Sequence, residues 1–498
     1  MNVLLLSMPD SFEHMPAVGI RMPTGALTSL AGNIDPHHKV AVADLILVQS
    51  RVRQTVAELV KRLKPDVVGL SVMTFQRRTA RKLIEMVRSL EPAARVVVGG
   101  YDPSLDREAY IGAGPSTPDF IIQGEGEITF RELLRAIESG GGYDRIAGLS
   151  FRRGPAFNHN PERPVHHLSG GEIRLPNRDA RVLKGYTLLG RTVDVIETSR
   201  GCTFDCSFCS IIEMRGRNFH TFGFDRVIED IRDARRHGAR AIFIVDDNIT
   251  LDVRRFEELC RALIGAGLHK IDYTVQAMTS AIANHGETLA PLMRRAGFRY
   301  VFLGIENILE GDLEFLRAKS KNEEREHGHV VGNATLKAVE YLHRNGMYVI
   351  GGLIVGNPGD TRESILANLE FARSHIDWPY IQHPTPYPRT PMTRDFRDRG
   401  LIISERFEEY DGTTAVVRSE HLSGEDIEFM RWRAERWMKV RHMPVALRYC
   451  PWFVLRNAFK MLAHTFRGSS LKSMLGLEDE RKVFERYRAL RAAERAYV

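Results

Sequence analysis

The sequence predicts an α/β protein in three parts. These are an N-terminal doubly wound parallel sheet over residues 1–150, a central partial (β/α)6 barrel over 191–395 and a mostly helical C-terminal cap over 396–498. Residues 151–190 read as a linker. Three observations carry this reading. Short apolar runs alternate with helical periodicities through the first 150 residues, which implies a parallel sheet covered on both faces. The alternation repeats six times between Val193 and about Pro388, two units short of the closed eightfold barrel. Beyond residue 396 strand signals fade and helical patterns dominate. At 498 residues the chain is also too long for one ordinary core.

In the first part, Val3–Leu6, Val40–Ala43, Val67–Ser71, Val96–Gly99 and Phe120–Ile122 read as strands. Val56, Leu59, Val60 and Leu63 recur at helical spacing between them, as do Leu83, Ile84, Val87 and Leu90. Ligands of such sheets bind beyond the carboxyl ends of the strands. The loops there carry Ser7-Met8-Pro9, Ser71-Val-Met-Thr74, Gly99-Gly100 and Gly124-Glu125-Gly126-Glu127. None matches a dinucleotide or P-loop fingerprint. Residues 151–190 hold several prolines and Gly170-Gly171 with no sustained period, as a linker or a small strand pair would.

The most specific stretch follows the apolar run Val193–Ile196. Three of the five cysteines fall in one loop, Cys202-Thr-Phe-Asp-Cys206-Ser-Phe-Cys209. A C-x3-C-x2-C loop can hold three corners of an iron–sulfur cube. With no fourth cysteine nearby, one iron stays open to a small molecule. The alternative readings are a zinc site with His220 as fourth ligand, although zinc ligands usually come as two separated pairs, or three unrelated thiols. Cys260 lies on the apolar stripe of a helix and Cys450 in another helical region, so both read as core.

The expected barrel strands are Val193–Glu197, Ala241–Asp246, Ile271–Gln276, Tyr300–Ile305, Tyr348–Val355 and Tyr380–His383. Barrel chemistry sits at the carboxyl ends. There the chain carries Asp246-Asp247, which could accept hydrogen bonds from a ligand or cap the helix starting near Asp252. Gln276 ends the third strand. Gly304-Ile-Glu306-Asn307 ends the fourth, and Gly351-Gly-Leu-Ile354-Val355-Gly-Asn-Pro-Gly-Asp360-Thr361 the fifth.

The cysteine loop, with Phe208 in its aromatic place, resembles the signature of the radical S-adenosylmethionine superfamily. Glu306-Asn307 resembles that family's G-I-E-S segment, and the fifth strand end its G-x-I-x-G-x-P-G-E-T. The N-terminal loops resemble the Rossmann-like cobalamin-binding domain that precedes many such enzymes. The resemblance implies a [4Fe-4S] cluster on Cys202, Cys206 and Cys209, whose open iron holds S-adenosylmethionine for reductive cleavage to a 5′-deoxyadenosyl radical. It implies S-adenosylmethionine contacts from Phe208, Asp246, Asp247, Gln276, Glu306, Asn307, Ile354 and Val355. It implies cobalamin contacts from Met8, Pro9, Ser71, Thr74, Gly99, Gly100, Gly124, Glu125 and Gly126. No D-x-H-x-x-G motif occurs, so no histidine ligand to cobalt is expected.

The function expected is cobalamin-dependent methyl transfer to an unactivated carbon of a small-molecule or lipid-like substrate. The alternatives are a non-methylating cyclisation or ring contraction within the same class, and a zinc-stabilised binding module. An electron donor such as flavodoxin or ferredoxin would be a partner. A net charge of +7 is too modest to point to nucleic acid. Five cysteines without a disulfide framework, and a strand-like start with no basic segment before it, suit the cytoplasm. In the tail, Trp452, Leu455, Phe459, Leu462 and Phe466 form an apolar stripe. Such a stripe usually docks on its own protein; peripheral membrane contact or a lid over an oily substrate is the sharper reading.

Overall fold

The computed structural model describes residues 1–11, 19–154, 156–165, 168–474, 476–494 and 497–498. The branched apolar runs of the first part form β1 (Asn2–Ser7), β2 (Lys39–Asp44), β3 (Val67–Ser71), β4 (Arg95–Gly99) and β5 (Phe120–Ile122). They pair in parallel in the order β2-β1-β3-β4-β5. Side chains alternate between faces, so Leu4 and Leu6 pack under α2 (Val52–Leu63) and α3 (Arg77–Leu90). Val3 and Leu5 pack under α1 (Gly25–Asn33) and α4 (Gly126–Ser139). The strand order reverses between β1 and β3, which opens a crevice at their carboxyl ends.

Of the two readings of the stretch after residue 150, a linker or a small strand pair, the strand pair is the one that forms. Here β6 (Leu149–Arg153) and β7 (Ala156–His159) turn back antiparallel against β5 and extend the first sheet. Further on, Thr187–Leu188 pairs antiparallel with β8 (Arg191–Ile196) and also with Ile20–Arg21. The second sheet therefore ends on residues from the first part of the chain. Two-residue strands leave no periodic signal in a sequence, which is why both were missed.

The second sheet continues from β8 through β9 (Ala241–Ile244), β10 (Asp272–Met278), β11 (Phe298–Glu306) and β12 (Tyr348–Ile354) to β13 (Trp378–Gln382). All six are parallel. Tyr273, Val275, Ala277, Val301, Leu303 and Ile305 pack outward against α5 (Phe224–Arg236), α6 (Val253–Gly265), α7 (Thr279–Ala296), α8 (Thr335–Arg344) and α9 (Arg362–His375). The alternate positions, among them Thr274, Gln276, Phe302, Gly304, Glu306, Ile350 and Ile354, therefore face the hollow of the half-barrel.

In the tail, α10 (Gly424–Arg441) packs on α13 (Glu480–Glu494) through Trp432, Phe484 and Tyr487. Between them α11 (Met443–Tyr449) and α12 (Pro451–Thr465) lie at the amino ends of the barrel strands. The Tyr449 ring meets Tyr348 edge-on at 5.1 Å, at the start of β12. Ala446, Phe453 and Val454 close a small apolar cavity of about 80 Å³ against Tyr300, Tyr348, Ile350 and Trp378. Of the expected apolar stripe from Trp452 to Phe466, only Phe466 is partly covered by the described residues, meeting Trp437 at 5.9 Å. Phe453 and Val454 turn inward, while Trp452, Leu455, Phe459 and Leu462 face outward.

Arg178 fastens the linker to the barrel. Its buried guanidinium donates to Asp194 at 2.8 Å, Asp230 at 2.6 Å and Asp233 at 2.9 Å. Arg178→Ala leaves Asp230 buried without its cation and is expected to cost about 3 kcal/mol. A fall in the thermal melting temperature relative to wild type checks this, and an unchanged melt would contradict it.

Candidate functional site between the two sheets

Two aspartates at the end of β9 shape the cysteine loop. Asp246, fully buried, accepts from the Thr198 amide at 2.6 Å, the Thr198 hydroxyl at 2.5 Å and the Ser199 hydroxyl at 2.6 Å. Burial pushes its carboxyl up to about 6 in spite of these donors. Asp247 accepts from the Gly201 amide at 2.7 Å. Gly201 has φ +91°, and a Cβ there would lie 2.4 Å from the Asn218 carbonyl oxygen, so only glycine fits. The cap of α6 is Asp252, which accepts from the Arg255 amide at 3.0 Å. The Asp246-Asp247 pair is thus neither a cap nor, for Asp246, a free acceptor for a ligand. It holds the loop.

Cys206 and Cys209 sit in an apolar cluster with Phe204, Phe208 and Ile354. Burial pushes their thiols up to about 11 and about 12. The Asn248 side-chain amide donates to the Cys202 sulfur at 3.7 Å. Among the described residues, the only three His, Cys, Asp or Glu ligand atoms within 4.8 Å of one another are those of His37, His38 and Glu138. At least one pair of the three sulfurs is therefore more than 4.8 Å apart, wider than the ~3.8 Å separations a tetrahedral zinc would require. That spread suits a cluster with one thiolate on each of three irons and argues against the zinc reading.

Lys321 is the cation beside these thiols. It donates to Glu306 at 2.9 Å and lies 6.0 Å from the Phe208 ring centre. Glu306 has φ +62°, uncommon for a non-glycine residue, and the pairing of β11 with β12 shifts register between Gly304 and Glu306. A bulge at the end of a barrel strand re-aims a side chain, here into the hollow towards the cysteine loop. Phe208, Glu306 and Ile354 are thus gathered around the cysteines, with Gln276 on the same inner face. Asn307 and Val355 are turned elsewhere. The Asn307 amide donates to the Ile354 carbonyl at 3.0 Å and its oxygen accepts from Leu309, while Val355 packs in the outer core.

Beyond the loop lies a cavity of about 240 Å³ at the β1/β3 crevice. Its floor is Leu5, Gly69 and Val97, and its rim carries Ser71, Gly99, Gly100, Gly124, Glu125 and Gly126. The facing wall comes from the barrel: Glu197, Arg200, Met214 and Arg215. Three of the expected cobalamin contacts are not at this rim. Met8 belongs to the sheet core, the Pro9 carbonyl accepts from Gln49 at 2.8 Å, and Thr74 is buried in a short turn.

Arg200, next to the first cysteine, joins the two walls. It donates to Glu127 at 2.6 Å and Glu197 at 2.7 Å and stands 3.5 Å from Glu125. Burial alone would raise the Glu127 carboxyl, but Arg200 and the Ser29 hydroxyl outweigh it and hold it at about 2. Burial raises Glu125, whose carboxylate lies 3.5 Å from Arg200 and 3.6 Å from Arg215 but accepts no hydrogen bond from the described residues. A buried acceptor of this kind calls for a donor from outside the chain, and the amide-bearing rim of a corrinoid supplies such donors. Reading the sequence missed Arg200, Arg215 and Lys321. Arg200 is flagged only by its place before Gly201-Cys202, and Lys321 lies where the chain has no pattern at all.

Comparison with known proteins agrees with this geometry. The B12 binding domain family matches residues 14–134, and the Radical SAM superfamily matches residues 196–372. An uncharacterized methyltransferase of Pyrococcus horikoshii is 27% identical over 429 residues, covering 86% of this chain and 90% of the relative. The anaerobic magnesium-protoporphyrin IX monomethyl ester cyclase of Cereibacter sphaeroides is 24% identical over 451 residues, covering 88% of this chain and 68% of the relative. Among solved structures, the cobalamin-dependent S-adenosylmethionine radical enzyme OxsB, with aqua-cobalamin and S-adenosylmethionine bound, has the same fold. Its TM-score is 0.68 at 16% identity, over 99% of this chain and 76% of that one.

The low carboxyl value at Glu127 sets a pH dependence. With a folded value near 2 against an ordinary 4.5, its contribution is present above about pH 4.5 and is lost as pH falls towards 2. Glu127→Gln is expected to destabilise by on the order of 3 kcal/mol at pH 7. The gap in melting temperature from wild type should narrow steadily below pH 4.5; a constant gap would refute the coupling.

Proposed function

This chain is a radical SAM enzyme that carries a B12-binding domain, and we propose that it transfers a methyl group to an unactivated carbon of a small-molecule or lipid-like substrate. The observation that carries the proposal is the shared cavity. The rim loops of the first sheet and the segment leading into the cysteines form opposite walls of one space, joined by Arg200. A methyl donor held by one wall then lies next to radical chemistry begun at the other. When bound, a [4Fe-4S] cluster would supply the electron that cleaves S-adenosylmethionine, and cobalamin would supply the methyl group.

The chain's own residues have definable parts in this. Cys202, Cys206 and Cys209 would hold the cluster. The Lys321 ammonium offsets the negative charge that three thiolates bring into an apolar pocket. Glu306, re-aimed into the hollow, would accept from the ammonium or ribose hydroxyls of S-adenosylmethionine, with Gln276 beside it. Glu125 would accept from corrinoid amides at the rim, and Gly99, Gly100 and Gly124 let the backbone approach closely. Gly100 is also required by the chain itself, since its φ is +104° and a Cβ there would come within 2.8 Å of the Val72 amide nitrogen. Apolar packing of Phe204 and Phe208 around the loop keeps water from the reacting centre.

A second reading keeps these residue roles but replaces methylation by cyclisation, and it is favoured by the likeness to a cyclase along 88% of this chain. Product analysis separates the two. After anaerobic reconstitution with iron, sulfide and cobalamin, dithionite and S-adenosylmethionine should yield 5′-deoxyadenosine with substrate present. S-adenosylhomocysteine formed alongside it supports methylation, and its absence supports cyclisation. Cys206→Ser should lower both bound iron and 5′-deoxyadenosine at least tenfold. Full iron content in that variant would refute the cluster assignment.

A further inference from the structure

Among the described residues, the outward face of α12 has no partner. Trp452 is 83% exposed, Leu455 64% and Phe459 85%, and with Leu462 they fall on one narrow stripe of the helix. Exposed side chains of this size seldom gather on a soluble surface without something to cover them. Arg456 and Lys460 flank the stripe and are themselves exposed. On the opposite side Phe453 and Val454 anchor the helix to the barrel, so the stripe is presented on a fixed support. The apolar surface carries on beyond α12, where the exposed Trp437 of α10 meets Phe466 edge-on at 5.9 Å.

Charge identifies the occupant. From Arg436 to Leu477 the chain has eight lysines and arginines and no aspartate or glutamate, against a net charge of +7 for all 498 residues. The rest of the protein is thus close to neutral, and the excess cation is concentrated around this stripe. Arg441, Arg448, Arg456, Lys460 and Lys472 are all exposed. A second copy of this chain would bring the same cations to the same face and repel it, whereas an anionic lipid surface complements them. An aromatic-rich stripe edged by cations is also what lies stably at the headgroup boundary, with rings in the acyl region and charges among the phosphates. No described helix is long and apolar enough to cross a membrane, so the contact would be interfacial.

We propose that α12, with the neighbouring ends of α10 and α11, is a membrane-surface anchor that binds anionic lipid bilayers. The proposal does not depend on the reaction assigned above. The test is cosedimentation of the full-length protein with vesicles of phosphatidylcholine alone or with about one-third phosphatidylglycerol. Wild type should bind the anionic vesicles at least tenfold more tightly than the neutral ones. Trp452→Ser/Phe459→Ser should lose that binding at least tenfold, and Arg456→Glu/Lys460→Glu should abolish the preference for anionic lipid. The altered side chains are exposed, so melting temperatures should stay at the wild-type value. If a variant melts early, Trp452→Phe gives a second readout. It should remove most of the blue shift in tryptophan emission that anionic vesicles induce in wild type. Wild-type protein left in the supernatant with both vesicle types, or a blue shift undiminished in Trp452→Phe, would overturn the proposal. So would a concentration-dependent dimer that Trp452→Ser/Phe459→Ser dissolves, which would assign the face to a second copy.

Discussion

The arrangement depends on one buried cation. Arg200 sits between the last residue of a barrel strand and the first cysteine, and its guanidinium is shared by Glu127 and Glu197, with Glu125 close by. A guanidinium taken out of water must be matched by carboxylates at hydrogen-bonding distance. Two of these come from the start of the helix that closes the first sheet, Glu125 just before it and Glu127 in its first turn, and one from the barrel strand's own end. Satisfying the charge therefore fixes the distance between the cavity rim and the cysteine loop. A different docking of the two sheets would leave either the cation or the acids unpaired, at a cost greater than most single packing changes.

Around that lock, acidic residues divide into those that shape the loop and those left for a ligand. Asp246 spends its lone pairs on Thr198 and Ser199, and Asp247 holds the Gly201 amide. Asn307 is likewise used up between two backbone segments. Glu125 is the opposite case, a buried carboxylate that faces the Arg200 and Arg215 guanidinium groups at 3.5 and 3.6 Å yet accepts no hydrogen bond from the described residues. Glu306 lies between these extremes, aimed into the hollow by a bulge and held there by Lys321. Unmet hydrogen-bonding capacity is what marks a wall as a binding wall, because a folded chain otherwise satisfies its buried polar groups internally.

The two ends of the half-barrel are chemically unlike. The carboxyl end carries Gln276, Glu306 and Lys321 around the cysteines, whereas the amino end is closed by Tyr300, Tyr348 and Trp378 against Phe453 and Val454. The α11–α12 segment therefore plugs the far end of the barrel instead of lidding its mouth. Freed from guarding the site, its outer surface can face something else, and its cations and aromatic rings are concentrated there.

Much of this could be read from residue order alone. Eleven strand assignments, from Val3–Leu6 to Tyr380–His383, lie within a few residues of the observed strands, because alternation of branched apolar runs with helical periods is a local property of the chain. The cysteine spacing and Gly201 were legible for the same reason: ligand spacing and the conformational freedom of glycine are set within a few bonds. What only the tertiary structure decided was partnership. That Arg200 meets Glu127, that Lys321 meets Glu306, that Asp246 is spent on the loop and that the α12 stripe faces outward are all consequences of which distant surfaces come together. An ion pair between residues 73 positions apart leaves no periodic trace in a sequence, since its energy comes from burial and proximity that exist only once both sheets have formed.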